Sequence, residues 1–518
     1  MKIPQVIPEP LAGSPLSRLA LEGGSPWFVP RPVGGEAWRA RAAAARADFS
    51  RRDWLGPLEP ALQLSSTAAQ RLQRVADAQG VVVTTGQQAG FFGGPLYTLY
   101  KALTALALAD AIESATGVPA APVFWAATDD TDFEEARHAA VALPGGVRTL
   151  SLEAPAGVVG RALAEVPLGD VGSALETLLT GAASGAGTYT AAAIRASHHA
   201  GATLGSAYVG LLRTVLQPLG IAVLDAWDDS LRQAAGGPLR RALANAEPIA
   251  RALRARSDAI RAAGYAPQVQ DVERLSLVWS WGDGTRRRFG VAEGPDAARR
   301  APEGSLSPTV LLRPVVERVL LPTVAYVAGP GELAYFAQVT AVAEALGWPA
   351  PLAVPRWSGT VVEPHVQRLL ERLALDQTAV RNAGVAEGAV ARRAMPPGVR
   401  SALEGLRSDV ASRMAELREA GASLLPAPAL DGAERQLAHK LERLERRLVA
   451  ATKRVETGLL RNVATVRGAL HPGGGRQERT LSWAPLLARH GEPLLVALRA
   501  AAAAHANAVV EAAVLPAR

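Results

Sequence analysis

Short apolar runs alternate with helical stretches over residues 80–359, and this alternation limits the fold more than any other feature of the chain. The runs predict five β-strands, at residues 80–85, 121–128, 221–227, 323–332 and 351–359. Helices are predicted between them, at residues 96–114, 205–216 and 333–346. Strand, glycine-rich turn and helix in succession predict an α/β fold with a parallel sheet and helices on both faces. In such a sheet the ligand lies at the carboxyl ends of the strands.

Residues 264–293 interrupt this alternation with two β-rich runs, RLSLVWSW and RRRFGVAE, which predict antiparallel hairpins. We therefore expect a small subdomain around residues 230–310, inserted in a core of residues 1–365.

The register changes after the core, and residues 366–475 are predicted to form an antiparallel α-helical coiled-coil arm. Apolar residues recur in steps of three and four from Leu437 to Leu470, which predicts a single long helix with one apolar seam. An earlier seam, Leu403 to Leu417, ends before a Pro/Gly turn at residues 426–432. We expect residues 476–518 to pack back on the core.

The arm carries most of the basic excess, with 11 Lys/Arg against four Asp/Glu between Arg435 and Arg479. Three interpretations are open: a solvated helix face with Glu/Arg pairs, an arm that binds nucleic acid, or a dimerisation surface.

Composition excludes several classes of protein. The chain of 518 residues has no cysteine, so it has no disulfide scaffold, thiolate metal site or cysteine nucleophile. Its eight histidines lack metal-ligand spacing, and no metal site is expected from them. The N-terminal residues lack the apolar core of a secretory signal, and no uninterrupted apolar run reaches about 18 residues. We expect a cytoplasmic protein that does not enter a membrane.

A glycine-rich segment, TTGQQAGFFGGPLYTLYK at residues 84–101, follows the first predicted strand. Glycines at a strand exit, with Pro95 at the start of the next helix, leave backbone N–H groups able to bind an anion. The spacing matches neither the dinucleotide fingerprint nor the P-loop. The alternative is a tight turn that serves only helix–sheet packing. The candidate binding residues here are Gln87, Gln88, Gly90, Phe92, Gly93, Gly94, Tyr97 and Lys101.

An acidic segment, TDDTDFEEARH at residues 128–138, follows the second predicted strand. Asp129 and Asp130 come first, at a strand end, where a carboxylate can hold an ammonium, accept a proton or coordinate Mg²⁺. His138, behind them, is a candidate acid or base. Acidic residues also stabilise the N-terminus of a helix, and this alone could explain the other three carboxylates. These are Asp132, Glu134 and Glu135.

The segment at residues 311–338, LLRPVVERVLLPTVAYVAGPGELAYFAQ, contains a second glycine-containing helix start. Arg313 lies in a mostly apolar setting, where it is either half of a buried ion pair or a clamp for carboxylate or phosphate. The other candidates lie on predicted strands, at their ends, or on the helix that follows residues 329–331, where Glu332, Tyr335 and Gln338 are spaced to line one face. They are Trp125, Tyr326, Gly329, Gly331, Glu332, Tyr335, Gln338, Arg356 and Ser358.

Together these segments resemble the bacillithiol-biosynthesis cysteine-adding enzymes, the BshC family. The matching segments are TTGQQAGFFGGPLYTLYK, PVFWAATDDTDFEE, SPTVLLRPVVERVLLPTVAYVAGPGELAYFAQ, PRWSGTVVEP and HPGGGRQERTLSW. The resemblance implies a Rossmann-like core, related to nucleotidyltransferases and class I synthetases, with inserted connecting segments and a coiled-coil arm that forms a homodimer. One position departs from the family pattern, since Thr131 stands where the family usually has histidine. Three explanations are open: that histidine is not essential, His138 takes its place, or this member of the family has drifted in activity.

The resemblance implies a ligase that adds L-cysteine to the amine of glucosaminyl malate and so forms bacillithiol. Because an amide does not form spontaneously from a free carboxylate in water, we expect ATP, with Mg²⁺ accompanying the nucleotide. The two glycine-rich helix ends would hold phosphates or malate carboxylates, and Asp129 or Asp130 would orient the cysteine ammonium or take the amine's proton. Three cations would neutralise the developing charge. These are Lys101, Arg313 and Arg356.

Two alternatives to this function remain. The first is a coiled-coil protein that binds RNA or a protein partner on a degenerate synthetase-like core. The second is a related amide ligase for another amino acid or amino sugar. For the ligase, nucleic acid is not an expected partner.

Overall fold

The computed structural model describes residues 3–182, 188–270, 274–421 and 423–512. The chain forms two compact units. The first comprises Met1–Val141, Thr149–Val361 and Glu478–Arg518, and the second comprises Ala142–Arg148 and Val362–Gln477.

Among the described residues the strands are β1 (Gln5–Pro8), β2 (Val81–Gln88), β3 (Ala120–Ala127), β4 (His138–Leu143), β5 (Gly146–Ser151), β6 (Ala222–Asp225), β7 (Leu275–Gly282), β8 (Thr285–Gly290), β9 (Leu306–Pro308), β10 (Thr323–Ala328), β11 (Ala353–Pro355) and β12 (Gly359–Val362). The helices in the same part of the chain are α1 (Pro15–Glu22), α2 (Gly34–Asp48), α3 (Glu59–Leu62), α4 (Ser66–Asp77), α5 (Leu96–Thr116), α6 (Phe133–Ala136), α7 (Gly172–Ala182), α8 (Tyr189–Ser197), α9 (Leu204–Leu216), α10 (Asp229–Ala244), α11 (Ala246–Ala262), α12 (Gly294–Arg300), α13 (Arg313–Leu320), α14 (Pro330–Leu346), α15 (Pro364–Leu373), α16 (Ala383–Ala394), α17 (Pro397–Ala420), α18 (Ala427–Val455), α19 (Thr457–Leu470), α20 (Gln477–Thr480) and α21 (Trp483–Glu511).

A five-stranded parallel sheet lies at the centre of the first unit, in the order β11-β10-β2-β3-β6. Its strands are the five predicted from the apolar runs, and the α/β fold class is confirmed. The chain moves outward from β2 through β3 to β6, but it reaches β10 and β11 on the opposite side of β2. The strand order therefore reverses between β2 and β10, and a crevice opens at such a point at the carboxyl ends of the strands.

Helix α5 connects β2 to β3 and is buried along most of its length. It packs against both strands and against α21. One residue in this apolar helix is charged and almost fully buried, since Lys101 is only 3% exposed. A buried ammonium requires compensating groups, so acceptors or a carboxylate must lie around Lys101.

Helix α21 is long and apolar enough to cross a membrane by length and composition, with a mean hydropathy of 1.4 over an 18-residue window. Leu487, Leu494 and Leu498 on this helix are buried, and the helix packs against α5. Gly491 also leaves the helical conformation, with φ of 54°. We interpret α21 as a core helix of the first unit.

The region inserted before β10 contains a three-stranded antiparallel sheet in the order β8-β7-β9. Strands β7 and β8 are the hairpin predicted from the two β-rich runs. In their register Trp279 lies opposite Arg288 and Trp281 lies opposite Arg286. Because side chains alternate along a strand, these four residues share one face of the sheet.

The second unit is helical, and its longest helices, α17 and α18, pack against each other. Arg418 pairs with Asp431 and Glu434 near the turn, while Arg407 pairs with Glu445 farther along, so the two helices are antiparallel. The predicted coiled-coil arm is confirmed. These pairs favour the interpretation of its basic excess as a solvated face with Glu/Arg pairs.

The prediction of a single long helix from Leu437 to Leu470 is wrong. The chain leaves the helical conformation at Glu456, where ψ is 48°, and α19 begins at Thr457. Thr457 and Gly458 have low helix propensity, and α19 packs on α15 and α16 instead of continuing along α17. The spacing of the apolar residues continues unchanged across Glu456. The periodicity of the sequence therefore gave no sign of the break between the two helices.

Candidate functional site

A cavity of about 660 Å³ lies in the first unit at the carboxyl ends of β2, β3 and β10. The antiparallel sheet β7–β9 contributes a further wall. Twelve residues selected from the sequence line it. They are Gln87, Gln88, Tyr97, Lys101, Asp129, Asp130, Arg313, Gly329, Gly331, Glu332, Tyr335 and Arg356.

The glycine-rich turn after β2 does not line the cavity. The Phe92 N–H donates to His198 Nε2 at 3.2 Å, and the two rings stack with centroids 4.6 Å apart. Gly93 O accepts from Trp483 Nε1 at 2.8 Å, and a Cβ on Gly93 would come within 2.6 Å of that indole. The first N–H group of α5, that of Leu96, donates to Leu481 O.

This packing corrects the expected position of four candidates. Gly90, Phe92, Gly93 and Gly94 lie against structural neighbours and are not part of the cavity lining. In this turn glycine is required by positive φ and by the close indole, so the geometry matches the packing alternative.

Five more candidates lie outside the cavity lining, each with a structural partner or a core position. Trp125 is buried within β3, and the Tyr326 hydroxyl donates to Glu332 Oε1 at 2.6 Å. The Gln338 amide bonds both backbone groups of Val269. The remaining two are Ser358, whose hydroxyl donates to Glu478, and His138, which is exposed and bonded to Ser151 Oγ. His138 is therefore not placed to replace a histidine at position 131.

Lys101 and Glu332 form a buried ion pair that joins the exits of β2 and β10. Lys101 Nζ lies 2.5 Å from Glu332 Oε2, and it donates to Gly86 O at 2.6 Å and to Gln87 Oε1 at 3.2 Å. Burial lowers the pKa of Lys101 to about 8, against the opposing effect of Glu332. All three ammonium protons therefore have partners within the protein, which fits a structural clamp better than a direct contact with substrate.

Glu332 occupies the N-terminus of α14 with its own carboxylate. Besides Lys101, its oxygens accept from the Gly329 N–H at 2.6 Å and from the Tyr326 hydroxyl. Burial acts to raise the pKa of Glu332, but Lys101 and Arg313 outweigh it and hold this pKa below its ordinary value. An anionic side chain already caps this helix end, so the predicted anion contact of residues 329–331 has a competitor inside the chain.

The two aspartates after β3 differ in their surroundings. Asp130 Oδ1 accepts from the N–H groups of Thr131 and Asp132 and lies 3.4 Å from Arg286 Nη2. Among the described residues no side chain donates a hydrogen bond to the carboxylate of Asp129, which faces the cavity. Burial, together with the charge of Asp130, raises the pKa of Asp129 to about 7. Asp129 can therefore accept a proton near neutral pH.

Two of the predicted arginines differ in how closely they meet carboxylates of the chain. Arg356 is 2% exposed and makes a two-point ion pair with Glu478, at 2.7 and 2.8 Å. The carboxylate nearest to Arg313 Nη2 is that of Glu332, with Oε1 at 3.8 Å, and the buried Arg313 Nε has no hydrogen-bond acceptor among the described residues. Of the two, Arg313 is the less tightly paired with a carboxylate.

Sequence reasoning missed four aromatic or basic residues of the lining: Trp279, Arg286 and Arg288 on the inserted sheet, and Arg479 on α20. Arg286 lies 4.2 Å from the Trp279 ring centroid, and Arg479 lies 6.0 Å from that of Tyr97. Because side chains alternate along a strand, a strand reading of RRRFG would have placed Arg286 and Arg288 on one face of the sheet. For Arg479 the only signal was its place in the HPGGGRQERTLSW segment.

No group of three or more His, Cys, Asp or Glu side chains suited to a metal ion occurs in residues 3–182, 188–270, 274–421 and 423–512.

Comparison with known proteins relates the chain to one family along most of its length. Residues 36–357 match the family model described as Bacillithiol biosynthesis BshC, N-terminal Rossmann-like domain. Residues 359–508 match the model described as Bacillithiol biosynthesis BshC, C-terminal coiled-coil domain.

Curated relatives extend over the same residues. A protein of Solibacter usitatus named "Putative cysteine ligase BshC" is 33% identical over 479 residues, which is 88% of each chain. A protein of the same name from a strain of Thermus thermophilus is 34% identical over 483 residues, covering 89% of this chain and 94% of the relative. The Koribacter versatilis relative is 33% identical over 82% of each chain.

Proposed function

Because the chain belongs to the BshC family of bacillithiol biosynthesis, we propose that it is a cysteine ligase that joins L-cysteine to the amine of glucosaminyl malate. ATP would supply the activation of the cysteine carboxylate. The reaction would take place in the cytoplasm, where ATP is available.

The observation that carries this proposal is the position of Asp129. Its carboxylate faces a cavity at the point of strand reversal, and burial with the neighbouring Asp130 raises its pKa to about 7. An amine that attacks an acyl carbon must lose a proton, and a carboxylate with a pKa near neutrality is suited to accept it. Asp129 therefore serves as the general base.

Arg313 would stabilise the charge that develops on the acyl oxygen. Arg313 lines the cavity, and its side chain is 13% exposed. A fixed cationic donor is worth most where water is excluded. The Tyr326 hydroxyl and Glu332 Oε1 lie 3.1 and 3.8 Å from Arg313 Nη2 and hold this side chain in place.

Lys101 and Glu332 would position the site without touching the reacting atoms. Their ion pair spans the crevice between β2 and β10 and fixes Gln87, whose amide donates to the Tyr97 hydroxyl at 3.2 Å. Gln87, Gln88 and Tyr97 would then orient the polar groups of cysteine or the sugar.

The test is direct. Purified protein is incubated with ATP, Mg²⁺, L-cysteine and glucosaminyl malate, and bacillithiol is followed by mass spectrometry, with a reaction that lacks ATP as the control. We expect product only in the complete reaction. Absence of product, under conditions where another member of the family is active, would reject the proposed function.

We further propose that the second unit pairs two copies of the chain. Exposed apolar residues support this, since Leu417 is 54%, Leu424 is 81% and Leu425 is 52% exposed near the end of the arm. Sedimentation equilibrium would give twice the chain mass, and a monomer at all concentrations would contradict it.

A further inference from the structure

We propose that one face of the inserted sheet, formed by Trp279, Arg286 and Arg288, is the subsite for the two carboxylates of the malate group. This inference rests on the proposed function and adds to it. It assigns to the inserted sheet the selection of a sugar that carries a dicarboxylate.

The register of the hairpin brings the two guanidinium groups together. Arg286 and Arg288 alternate with Arg287 along β8, and both line the cavity. Arg287 lies on the opposite face, is exposed, and places its guanidinium 4.8 Å from the Phe289 ring centroid. Two cations two residues apart on one strand can contact the two ends of a four-carbon diacid.

Arg288 is a half-buried cation for which the described residues supply no counterion. Its Nε and Nη2 donate to the carbonyls of Ser276 and Leu275 at 2.8 and 3.1 Å, which fixes the guanidinium plane. No carboxylate lies within ion-pair distance of it among the described residues, and burial lowers the pKa of Arg288. A positive charge that is held in place and left unbalanced is stabilised when an anion binds.

Trp279 prepares both arginines for binding. Its ring centroid lies 4.2 Å from the Arg286 guanidinium carbon and 5.6 Å from that of Arg288. Stacking of this kind restricts long side chains before the ligand arrives, which reduces the entropy lost on binding.

The position of Arg286 agrees with the chemistry of the substrate. In glucosaminyl malate the amine and the malate group occupy neighbouring carbons of the sugar ring, so the base and the carboxylate clamp must be neighbours. Arg286 Nη1 lies 3.5 Å from Asp129 O, and Nη2 lies 3.4 Å from Asp130 Oδ1. The clamp and the proposed base are therefore adjacent.

The test compares Arg288→Gln and Arg286→Gln with Arg287→Gln, which changes the same charge on the opposite face of the same strand. Binding of malate and of lactate to the full-length protein is measured by isothermal titration calorimetry, and steady-state kinetics are measured with glucosaminyl malate. Wild-type protein should bind malate more tightly than lactate. Arg288→Gln and Arg286→Gln should weaken malate binding and raise KM for glucosaminyl malate by about tenfold or more, with a smaller change in kcat, because each removes a charge-assisted contact. Arg287→Gln should match the wild type in both measurements.

Three results would overturn the subsite. They are equal binding of malate and lactate, equal effects of all three substitutions, and a rise in KM for ATP in place of glucosaminyl malate. Arg288 also bonds two carbonyls, so Arg288→Gln could weaken binding by disturbing the sheet. Arg288→Lys is a second variant that retains the charge, and it should recover part of the malate affinity. The binding assay does not depend on turnover, so the subsite and the proposed function can fail separately. If malate binds through Arg288 but no bacillithiol forms, the subsite is retained and the proposed function is rejected. If bacillithiol forms and KM for glucosaminyl malate is unchanged in Arg288→Gln and Arg286→Gln, only the subsite is rejected.

Discussion

Two glycine-rich turns leave neighbouring strands of the same sheet, yet they have opposite surroundings. The turn after β2, at residues 90–94, is packed against Trp483 and His198, whereas the turn after β10, at residues 329–331, lines the cavity. The difference shows that glycine can occur at a strand exit for two distinct reasons. In the first turn the glycine fits a close neighbour, and in the second the backbone borders a site.

This contrast separates the expected effects of substitutions. Changes at the exits that open into the cavity, those of β3 and β10, should reduce the rate of the reaction. Changes in the closed turn after β2, at residues 90–94, should reduce stability and leave the chemistry of the folded protein intact.

The largest effect is expected at the open exit of β3. Asp129→Asn should lower kcat by about 10²–10⁴-fold, the usual contribution of a positioned general base. In the wild type kcat/KM should rise with pH up to about 7, as Asp129 loses its proton. Steady-state kinetics from pH 5.5 to 9 would show both. Asp132→Asn is the matched control, since exposed Asp132 caps α6 and asparagine caps equally well, so its rate should stay within about twofold.

Asp129→Asn should also stabilise the protein at pH 8. The pKa of Asp129 is raised in the folded state, so the folded protein bears the cost of an ionised carboxylate above pH 7, and this cost disappears as the pH falls toward 4. The gain at pH 8 should be about 1 kcal/mol, because solvent in the cavity screens part of the cost. Loss of both activity and stability in the variant would show that Asp129 is a structural residue.

The next effect concerns the pair that links the two turns. Glu332→Gln leaves the Lys101 ammonium buried without its counterion, which should destabilise the protein by about 3–5 kcal/mol and lower the rate. Glu344→Gln, on the same helix, removes an exposed carboxylate that pairs with Arg256 and should cost about 1 kcal/mol or less. Urea denaturation of both variants makes the comparison. Equal stability of the two would mean that Lys101 finds its compensation elsewhere.

A smaller effect, on stability alone, is expected at the closed turn. Gly93 has φ of +83° and a Cβ there would meet Trp483, so Gly93→Ala should destabilise the protein by about 2–4 kcal/mol. Gly331 has neither positive φ nor any atom within 4 Å of an added Cβ, so Gly331→Ala should leave the melting temperature unchanged or slightly higher. Thermal melts test the pair. If Gly93→Ala melts like the wild type but loses activity, the turn after β2 belongs to the site after all.

The sequence was sufficient for the parallel sheet, because each strand is buried on both faces and shows as an apolar run. It also placed Asp129, Asp130 and Glu332 just after predicted strands, and the structure brings these carboxylates to one cavity. It could not show that the turn after β2 is closed, since the closing indole is 390 residues away in the chain. Arg286 and Arg288 were missed for a related reason. Their hairpin was recognised, but only tertiary packing brings its polar face to the strand ends.

The smallest effect is expected at His138, which sequence analysis considered as a replacement for an imidazole at position 131. Its ring is exposed and bonds Ser151 Oγ at 2.7 Å, and it does not line the cavity. His138→Ala should therefore change kcat/KM by less than about twofold, as do most surface substitutions away from a site. Thr131→His tests the same question from the other side, because it restores an imidazole beside Asp130. A rate that falls tenfold in His138→Ala and recovers in the double variant would show that the open exit of β3 uses an imidazole, and Asp129 would then no longer suffice as the base.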